Sequence, residues 1–241
     1  MKNRVIATAA IAALAGQASA AETAISIGFA AGAFQTSIDI GFDQLTKTAD
    51  GYAFTGGGWE WYDNSGLGDL LGGVDSLNMS IKTDATRSGG AQTVTLDFSF
   101  AAGFMNSSFT VNANPLVFSP ISNVTGVASA ALTVQDRFND GATIWANGGG
   151  AYSAIYDGSN TFADLFAGGA STTGGASFSE NTNGGAYAPV APSVSEISAK
   201  WDFTISAFDA ATGTSVFTVV PSPASAALLG LGGLVATRRR R

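Results

Sequence analysis

Apolar and polar residues alternate one by one along much of this chain. The clearest run covers residues 93–100, in which valine, leucine and two phenylalanines alternate with threonine, aspartate and serine. A period of two places one set of side chains in a core and the other in water, as in the strands of an antiparallel sheet. The same alternation predicts strands over residues 25–29, 38–42, 77–82, 130–134 and 201–207.

Glycine punctuates these runs. Pairs and triplets of glycine, which favour turns and loops, occur at residues 56–58, 72–73, 89–90, 148–150, 174–175 and 184–185. Many short strands between glycine turns, with no long helical period, predict an all-β domain over residues 21–220. We expect an antiparallel β-sandwich of jelly-roll type.

A few segments of this domain predict other local structure. Residues 67–71 and 160–166 are candidate short helices, the second capped by Asn160 or Thr161 and stopped by Gly168. Residues 168–195 are rich in small polar residues and predict a long surface loop with one strand at 176–179. Residues 195–209 and 215–220 predict a final hairpin that turns at Gly213.

The first twenty residues differ from the rest. Lys2 and Arg4 precede an apolar run over residues 5–15, and Ala18 and Ala20 form a small-x-small pattern. Charge, apolar run and small residues in this order predict a cleavable signal peptide over residues 1–20, with signal peptidase as its processing partner. A buried N-terminal helix is the alternative. The apolar run is too short for a comfortable membrane span.

The last 21 residues also stand apart. A Pro-x-Pro motif is followed by an apolar segment over residues 224–237, which spans roughly 21 Å as a helix, against about 30 Å for a hydrocarbon core. Four consecutive arginines resist translocation and would keep the chain end cytoplasmic, with the body outside. The motif and stop-transfer residues are Pro221, Ser222 and Pro223, then Arg238, Arg239, Arg240 and Arg241.

This tail resembles the PEP-CTERM sorting signal of exosortase substrates, in which a short motif, an apolar helix and an arginine cluster end the chain. The resemblance covers residues 221–241, and Ser222 stands where the family has glutamate. It implies a transmembrane sorting helix, transient residence in the inner membrane and an exosortase-type transpeptidase as partner. A plain C-terminal anchor without cleavage is the alternative.

Composition limits the chemistry of the body. The chain has 18 acidic and 11 basic residues; six of the basic residues lie in the two end segments, which contain no acidic residue, so the body carries a net charge of −13. Such a surface repels nucleic acid and anionic lipid. The sequence contains no Cys and no His, which excludes disulfides, histidine-based catalysis and the usual zinc sites.

Three classes of candidate site remain in the body. Tryptophans could stack on sugar rings, and the candidates for glycan contact are Trp59, Trp61 and Trp145, whereas Trp201 is in phase with a predicted core face. A glycosidase needs two carboxylates, for which the glutamates Glu60, Glu180 and Glu196 are available. Turns at residues 136–141 and 157–160 carry oxygen ligands of the kind that calcium prefers, although Asp, Asn and Gly are also good turn formers.

These observations favour an exported protein without catalytic residues. We expect it to pass through the inner membrane to the cell surface or extracellular matrix, with a structural or adhesive role associated with exopolysaccharide. A carbohydrate-binding module is the alternative, and a carboxylate glycosidase is a third hypothesis. No cofactor is predicted, calcium at the two turns being the one metal considered.

Overall fold

The computed structural model of the protein describes residues 3–5, 22–63, 69–84 and 90–222. These residues form strands and two short 3-10 turns, Phe42–Gln44 and Thr182–Gly185. The strands in chain order are β1 (Asn3–Val5), β2 (Thr23–Ala31), β3 (Phe34–Gly41), β4 (Thr46–Lys47), β5 (Gly51–Gly56), β6 (Trp59–Tyr62), β7 (Leu70–Asp84), β8 (Ala91–Ala102), β9 (Ser107–Gln135), β10 (Ala142–Ala146), β11 (Tyr152–Tyr156), β12 (Asn160–Leu165), β13 (Ala170–Thr172), β14 (Gly175–Asn181), β15 (Ala188–Ile205) and β16 (Ala210–Pro221).

All sixteen strands belong to one connected sheet, whose main path runs β1-β6-β7-β8-β16-β9-β15-β10-β13. Every pairing is antiparallel except that of β1 with β6. The prediction of an all-β, antiparallel domain is therefore confirmed. Its jelly-roll connectivity stays a prediction.

The long strand β9 makes the sheet curl upon itself. Its first half pairs with β2 and with the end of β15, whereas its second half pairs with β16, β14 and the start of β15. The two halves of the sheet consequently face each other across a core of aromatic rings. Phe98 of β8 lies with its ring centroid 5.0 Å from that of Trp201 and 5.3 Å from that of Phe203, both on β15. Trp201 is buried, as its phase predicts.

Burial follows the predicted period of two. In β8 and at the end of β15, buried apolar residues alternate with partly exposed polar ones over most of the strand. The short runs predicted at residues 25–29 and 130–134 lie in β2 and β9. In the run at 38–42 the strand ends at Gly41, and Phe42 begins a 3-10 turn.

Neither of the two predicted helices is present among the described residues of the two segments. Residues 160–165 form strand β12, which pairs with β11, because Phe162 stacks on Phe217 of β16 with ring centroids 5.4 Å apart. Packing therefore overrides the local helix signal. Leu70 and Leu71, at the end of the other candidate helix, begin β7, and residues 67 and 68 of that candidate lie outside the described ranges. The predicted loop at 168–195 contains β13, β14 and the start of β15.

The predicted final hairpin is also wrong. β16 pairs with β8 and β9 instead of β15, because the chain crosses to the other half of the sheet at residues 206–209. Gly213 lies inside β16, where a Cβ atom would come within 2.4 Å of the Phe98 ring. Glycine is needed there for close approach of an aromatic ring, and the turn is made elsewhere.

The two ends of the chain are described only in part. Asn3–Val5, within the predicted signal peptide, pairs with Trp59–Trp61 as a short parallel strand. Pro221 pairs with Val124, and the Ser222 amide donates to the Asn123 carbonyl at 2.7 Å. Within the described ranges, no helix has the length and apolar character that crossing a membrane requires. The cleavage residues Ala18 and Ala20, and residues 223–241 with Pro223 and the arginines, lie outside those ranges.

Candidate functional site

Two of the three tryptophans predicted to contact glycan lie on the inner side of the sheet. Trp61 is 1% exposed, and its ring stacks on Phe29 at 4.3 Å with an angle of 8° between the planes. Trp59 is half-buried and packs against the same core. A strand places residues two apart on one face, so both indoles point inward. The prediction of a platform built from Trp59 and Trp61 is therefore wrong for Trp61, and for Trp59 it stays a prediction.

The third tryptophan has the opposite position. Trp145 lies on β10 between Ile144, which is buried, and Ala146, which is half-buried, and its side chain is 44% exposed. It pairs with Thr204 of β15, on the outer face of the sheet. Alternation along β10 explains this placement, because Ala142 and Ile144 fill the core and the intervening side chains face water. A large indole is thus available to a ligand.

A hydrogen-bonded polar network lies beside Trp145. The Thr204 hydroxyl donates to Asn147 Oδ1 at 2.9 Å and lies 2.7 Å from the Ser108 hydroxyl. Asn147 Nδ2 donates to Asp202 Oδ1 at 3.0 Å, and Lys200 Nζ lies 2.6 Å from Asp202 Oδ2. We call this surface the Trp145 face, defined by Trp145, Asn147, Lys200, Asp202 and Thr204.

The Trp145 face is held in place by the strands on either side of it. Thr110 Oγ1 on β9 donates to Asp202 Oδ1 at 3.3 Å, and the Asn147 amide donates to the Asp202 carbonyl at 3.2 Å. Asn147, Asp202 and Thr204 therefore have partners outside their own segment before any ligand arrives, and Lys200 is paired with Asp202 of its own strand. Preorganised polar groups beside an exposed aromatic ring are the elements from which small polar ligands are bound.

The three glutamates proposed for glycosidase chemistry occupy different strands. Glu60 Oε2 on β6 accepts a hydrogen bond from the Tyr62 hydroxyl at 2.6 Å. Glu180 Oε2 on β14 accepts from the Phe166 amide, and Glu196 Oε1 on β15 accepts from the Gly158 amide, each at 2.6 Å. Glu180 and Glu196 thus tie neighbouring segments together, whereas Glu60 is engaged by a residue of its own strand.

The predicted oxygen-rich turns hold the chain together in a similar way. Asp136, Asp140 and Asp209 have carboxylate oxygens within 4.8 Å of one another, so they are the residues that could share a cation. However, Asp209 accepts from the Arg137 amide and the Ser206 hydroxyl. In the second turn, Asp157 Oδ1 accepts from the amide and hydroxyl of Ser195. Calcium binding at either turn stays a prediction.

Asp136 organises its loop through both carboxylate oxygens. Oδ1 accepts from the amides of Phe138 and Asp140 at 3.2 and 3.3 Å, and Oδ2 accepts from those of Gly141 and Gly174 at 3.0 and 3.1 Å. Desolvation alone would raise the pKa of Asp136, but the backbone amides outweigh it and lower the pKa below its ordinary value of 3.8. Hydrogen bonds to the charged form cause this direction.

Asp136→Asn is expected to destabilise the protein at neutral pH and to weaken its acid sensitivity. Because the folded pKa is depressed, the carboxylate's contribution is complete above pH 3.8 and is lost as the pH falls through the folded value. Urea denaturation at pH 7 and pH 3 should therefore show a larger difference for the natural protein than for the variant.

Asp140→Asn is the matched control for this experiment. Its carboxylate accepts no hydrogen bond within the described part of the chain, so its urea midpoint at pH 7 should stay close to that of the natural protein. Equal losses for the two variants would contradict the assigned role of Asp136.

Sequence reasoning named Trp145 but missed its surroundings. Ser108 and Thr204 are 96 positions apart along the chain, and only the pairing of β9 with β15 brings them together. The available signal was the polar phase of the alternation at the end of β15, in which Lys200, Asp202 and Thr204 share one face. That signal predicts which side chains share a face of β15, but it does not predict which strands lie on either side of β15.

No protein-family model and no curated protein matches the sequence. Among solved structures, the chain is similar to TmCBM61 in complex with β-1,4-galactotriose, at 9% identity over 60% of this chain and 88% of the other, with a TM-score of 0.28. It is also similar to an isomalto-dextranase of Arthrobacter globiformis T6 complexed with panose, at 10% identity over 76% of this chain and 24% of the other, TM-score 0.22. A third is a carbohydrate-binding module, CBM6cm-2, of Cellvibrio mixtus lichenase 5A in complex with cellotriose, at 12% identity over 57% and 85%, TM-score 0.17. Likenesses this weak carry no argument about the function of this chain.

Proposed function

We propose that this protein binds polysaccharide on the Trp145 face, without catalysis, as an exported protein of the cell surface or extracellular matrix. One observation carries the proposal: Trp145 is 44% exposed and stands beside the hydrogen-bonded side chains of Asn147, Asp202 and Thr204. A free tryptophan ring costs little entropy to order, because it has few rotatable bonds.

Sugar rings suit such a surface. A pyranose has an apolar face of C–H groups, which can cover the Trp145 indole, and equatorial hydroxyls, which can exchange hydrogen bonds with Asn147 and Thr204. The amide and hydroxyl groups both donate and accept, so they can meet a ligand hydroxyl in either orientation. The outer side of the sheet also gives a long ligand room to extend beyond the indole.

The proposal of a binding role rather than an enzymatic one has separate support. The sequence lacks histidine, and the glutamates considered for glycosidase chemistry are engaged with backbone amides or a tyrosine hydroxyl. Retention of polysaccharide without turnover fits an adhesive or matrix role, in which the protein holds exopolysaccharide at the cell surface.

Localisation is proposed from the two ends of the sequence. We infer export through the predicted signal peptide, passage through the inner membrane and sorting by an exosortase-type enzyme at the PEP-CTERM-like tail. Support comes from the position of Pro221, which ends β16, and of Ser222, which follows it and would begin the tail directly after the body. Mass spectrometry that finds Met1 and Arg241 retained in cytosolic protein would overturn this proposal.

Binding is tested with the purified protein in pull-down assays on four polysaccharides, namely insoluble cellulose and chitin and cross-linked galactan and dextran. Trp145→Ala should weaken retention on the polysaccharide that binds by at least about tenfold, or ~1.4 kcal/mol. The matched control is Tyr187→Ala, which removes an aromatic ring of similar exposure, 43%, at another place on the surface. Retention that is equal in the two variants, or no retention of the natural protein on any of the four, would contradict the proposal.

A further inference from the structure

We infer that the ligand is an uncharged, extended polysaccharide that crosses the strands of the sheet along one row of small side chains beginning at Trp145. This inference rests on the proposed function and names the class of ligand and the additional residues that contact it. The row consists of one residue from each of five adjacent strands, and we call it the transverse row: Trp145, Thr204, Ser108, Ala30 and Gln35.

The strand register establishes the transverse row. Trp145 of β10 pairs with Thr204 of β15, Thr204 pairs with Ser108 of β9, and Ser108 pairs with Ala30 of β2. Ala30 in turn pairs with Gln35 of β3, the edge strand. Neighbouring strands lie about 4.8 Å apart, so the row extends roughly 19 Å from Trp145 to Gln35. All five residues are exposed or half-buried on the outer face.

The side chains of the row leave a flat path. Ser108, Ala30 and Thr204 are small, and residue 28, two positions before Ala30 on the same face, is glycine. Trp145 is the one large aromatic ring of the row, at one end. A chain of hydroxyl and amide groups, from Asn147 through Thr204 to Ser108, lines the first half of the path. A ligand that stacks on the indole can therefore continue over the sheet without a steric barrier.

Charge decides the class of ligand. The transverse row contains no ionisable side chain. Beside it, Lys200 and Asp202 neutralise each other at 2.6 Å, and the second oxygen of Asp202 already accepts from Asn147 and Thr110. Neither a polyanion nor a polycation finds an unpaired counter-charge along the path. An uncharged polysaccharide meets the available donors and acceptors without displacing this ion pair.

The experiment measures affinities of the full chain for cello-, galacto- and isomalto-oligosaccharides of increasing length by calorimetry. In the series that binds, affinity should rise with length until the oligosaccharide spans about 19 Å, and then level off. Ala30→Tyr places a bulky side chain roughly 14 Å from Trp145 and should remove that gain, while short oligosaccharides keep their affinity. Changing NaCl from 50 to 500 mM should alter affinity by less than about twofold.

Ser26→Tyr is the matched control, because it adds the same side chain on the same strand and face, about 13 Å along β2 from Ala30. It should keep the full dependence on length. Thermal unfolding confirms that both variants fold. The inference would be overturned if the Ala30→Tyr variant bound long oligosaccharides as tightly as the Ser26→Tyr variant does. It would also be overturned if the natural protein bound the acidic polymer polygalacturonate more tightly than the uncharged oligosaccharides. If Trp145→Ala still weakens binding in that case, the proposed function survives and only the path is wrong; if no series binds, both fail.

Discussion

Replacing Trp201 by alanine is expected to lower the free energy of unfolding by about 3–5 kcal/mol. The indole is fully buried, and its ring centroid lies 5.0 Å from that of Phe98 and 5.2 Å from that of Tyr152. The Phe98 contact joins the two halves of the curled sheet, and Tyr152 is the register partner of Trp201 on the neighbouring strand β11. A cavity at this position therefore cannot close by movement of one strand alone. Domains are typically stable by 5–15 kcal/mol, which makes the loss a large share of the total.

The Trp201 indole also has a buried polar contact. Its Nε1 donates to the Ser215 hydroxyl at 2.9 Å, in a part of the core where Ser215 is 2% exposed. Trp201→Phe keeps an aromatic ring but leaves that hydroxyl without its donor, so we expect an intermediate loss of about 1–3 kcal/mol. Guanidinium denaturation followed by far-UV circular dichroism measures both variants without relying on tryptophan fluorescence.

Trp145→Ala is the control for this prediction. It removes the same side chain from an exposed position and should change the free energy of unfolding by no more than about 0.5 kcal/mol. The two tryptophans are thus expected to show opposite results, Trp201 in stability and Trp145 in ligand retention. A loss below about 1 kcal/mol for Trp201→Ala would show that the core does not depend on this ring.

Local sequence pattern was sufficient for the strands with a clear period of two, and insufficient for the other strands and for the pairing of strands. Trp201 could be placed in the core because Phe203 and Ile205 share its phase. The segment 160–166 carried the same kind of local evidence for a helix and was predicted wrongly, because the contact of Phe162 with Phe217 comes from a strand far along the chain. Period and capping report on one element, whereas packing depends on elements that sequence spacing does not place.

The candidate site shows the same division. Trp145 could be singled out beside a glycine loop. Its exposure, however, depends on the pairing of β10 with β15, which places the Trp145 side chain on the outer face of the sheet. Trp59 and Trp61 carried an equally strong signal, and Phe29 from β2 covers Trp61. The transverse row could not be predicted at all, since it requires the register of four strand pairs.

Substitution of Gly103, where three segments of the chain cross, is expected to have the second large effect on the free energy of unfolding. A Cβ atom added to Gly103 would lie 1.7 Å from the Leu70 carbonyl oxygen and 2.7 Å from the carbonyl carbon of Leu71. Both neighbours are backbone, so no flexible side chain can move aside. The Gly103 amide also donates to the Leu71 carbonyl at 2.9 Å, and its own carbonyl accepts from the Phe208 amide at 2.6 Å. The start of β7, the end of β8 and the turn before β16 therefore meet at one residue without a side chain.

Gly103→Ala should consequently cost about 3 kcal/mol, at the upper end of the range for overpacking, because three segments must move apart. Amide hydrogen exchange should become faster at Phe104 and Phe208, whose amides donate at this crossing. Gly168→Ala is the control, because a Cβ atom there meets nothing within 4 Å, and its stability should be unchanged or slightly higher through lower entropy of the unfolded chain. If Gly103→Ala is as stable as Gly168→Ala, the crossing tolerates a methyl group and the contact of these three segments is looser than their hydrogen bonds indicate.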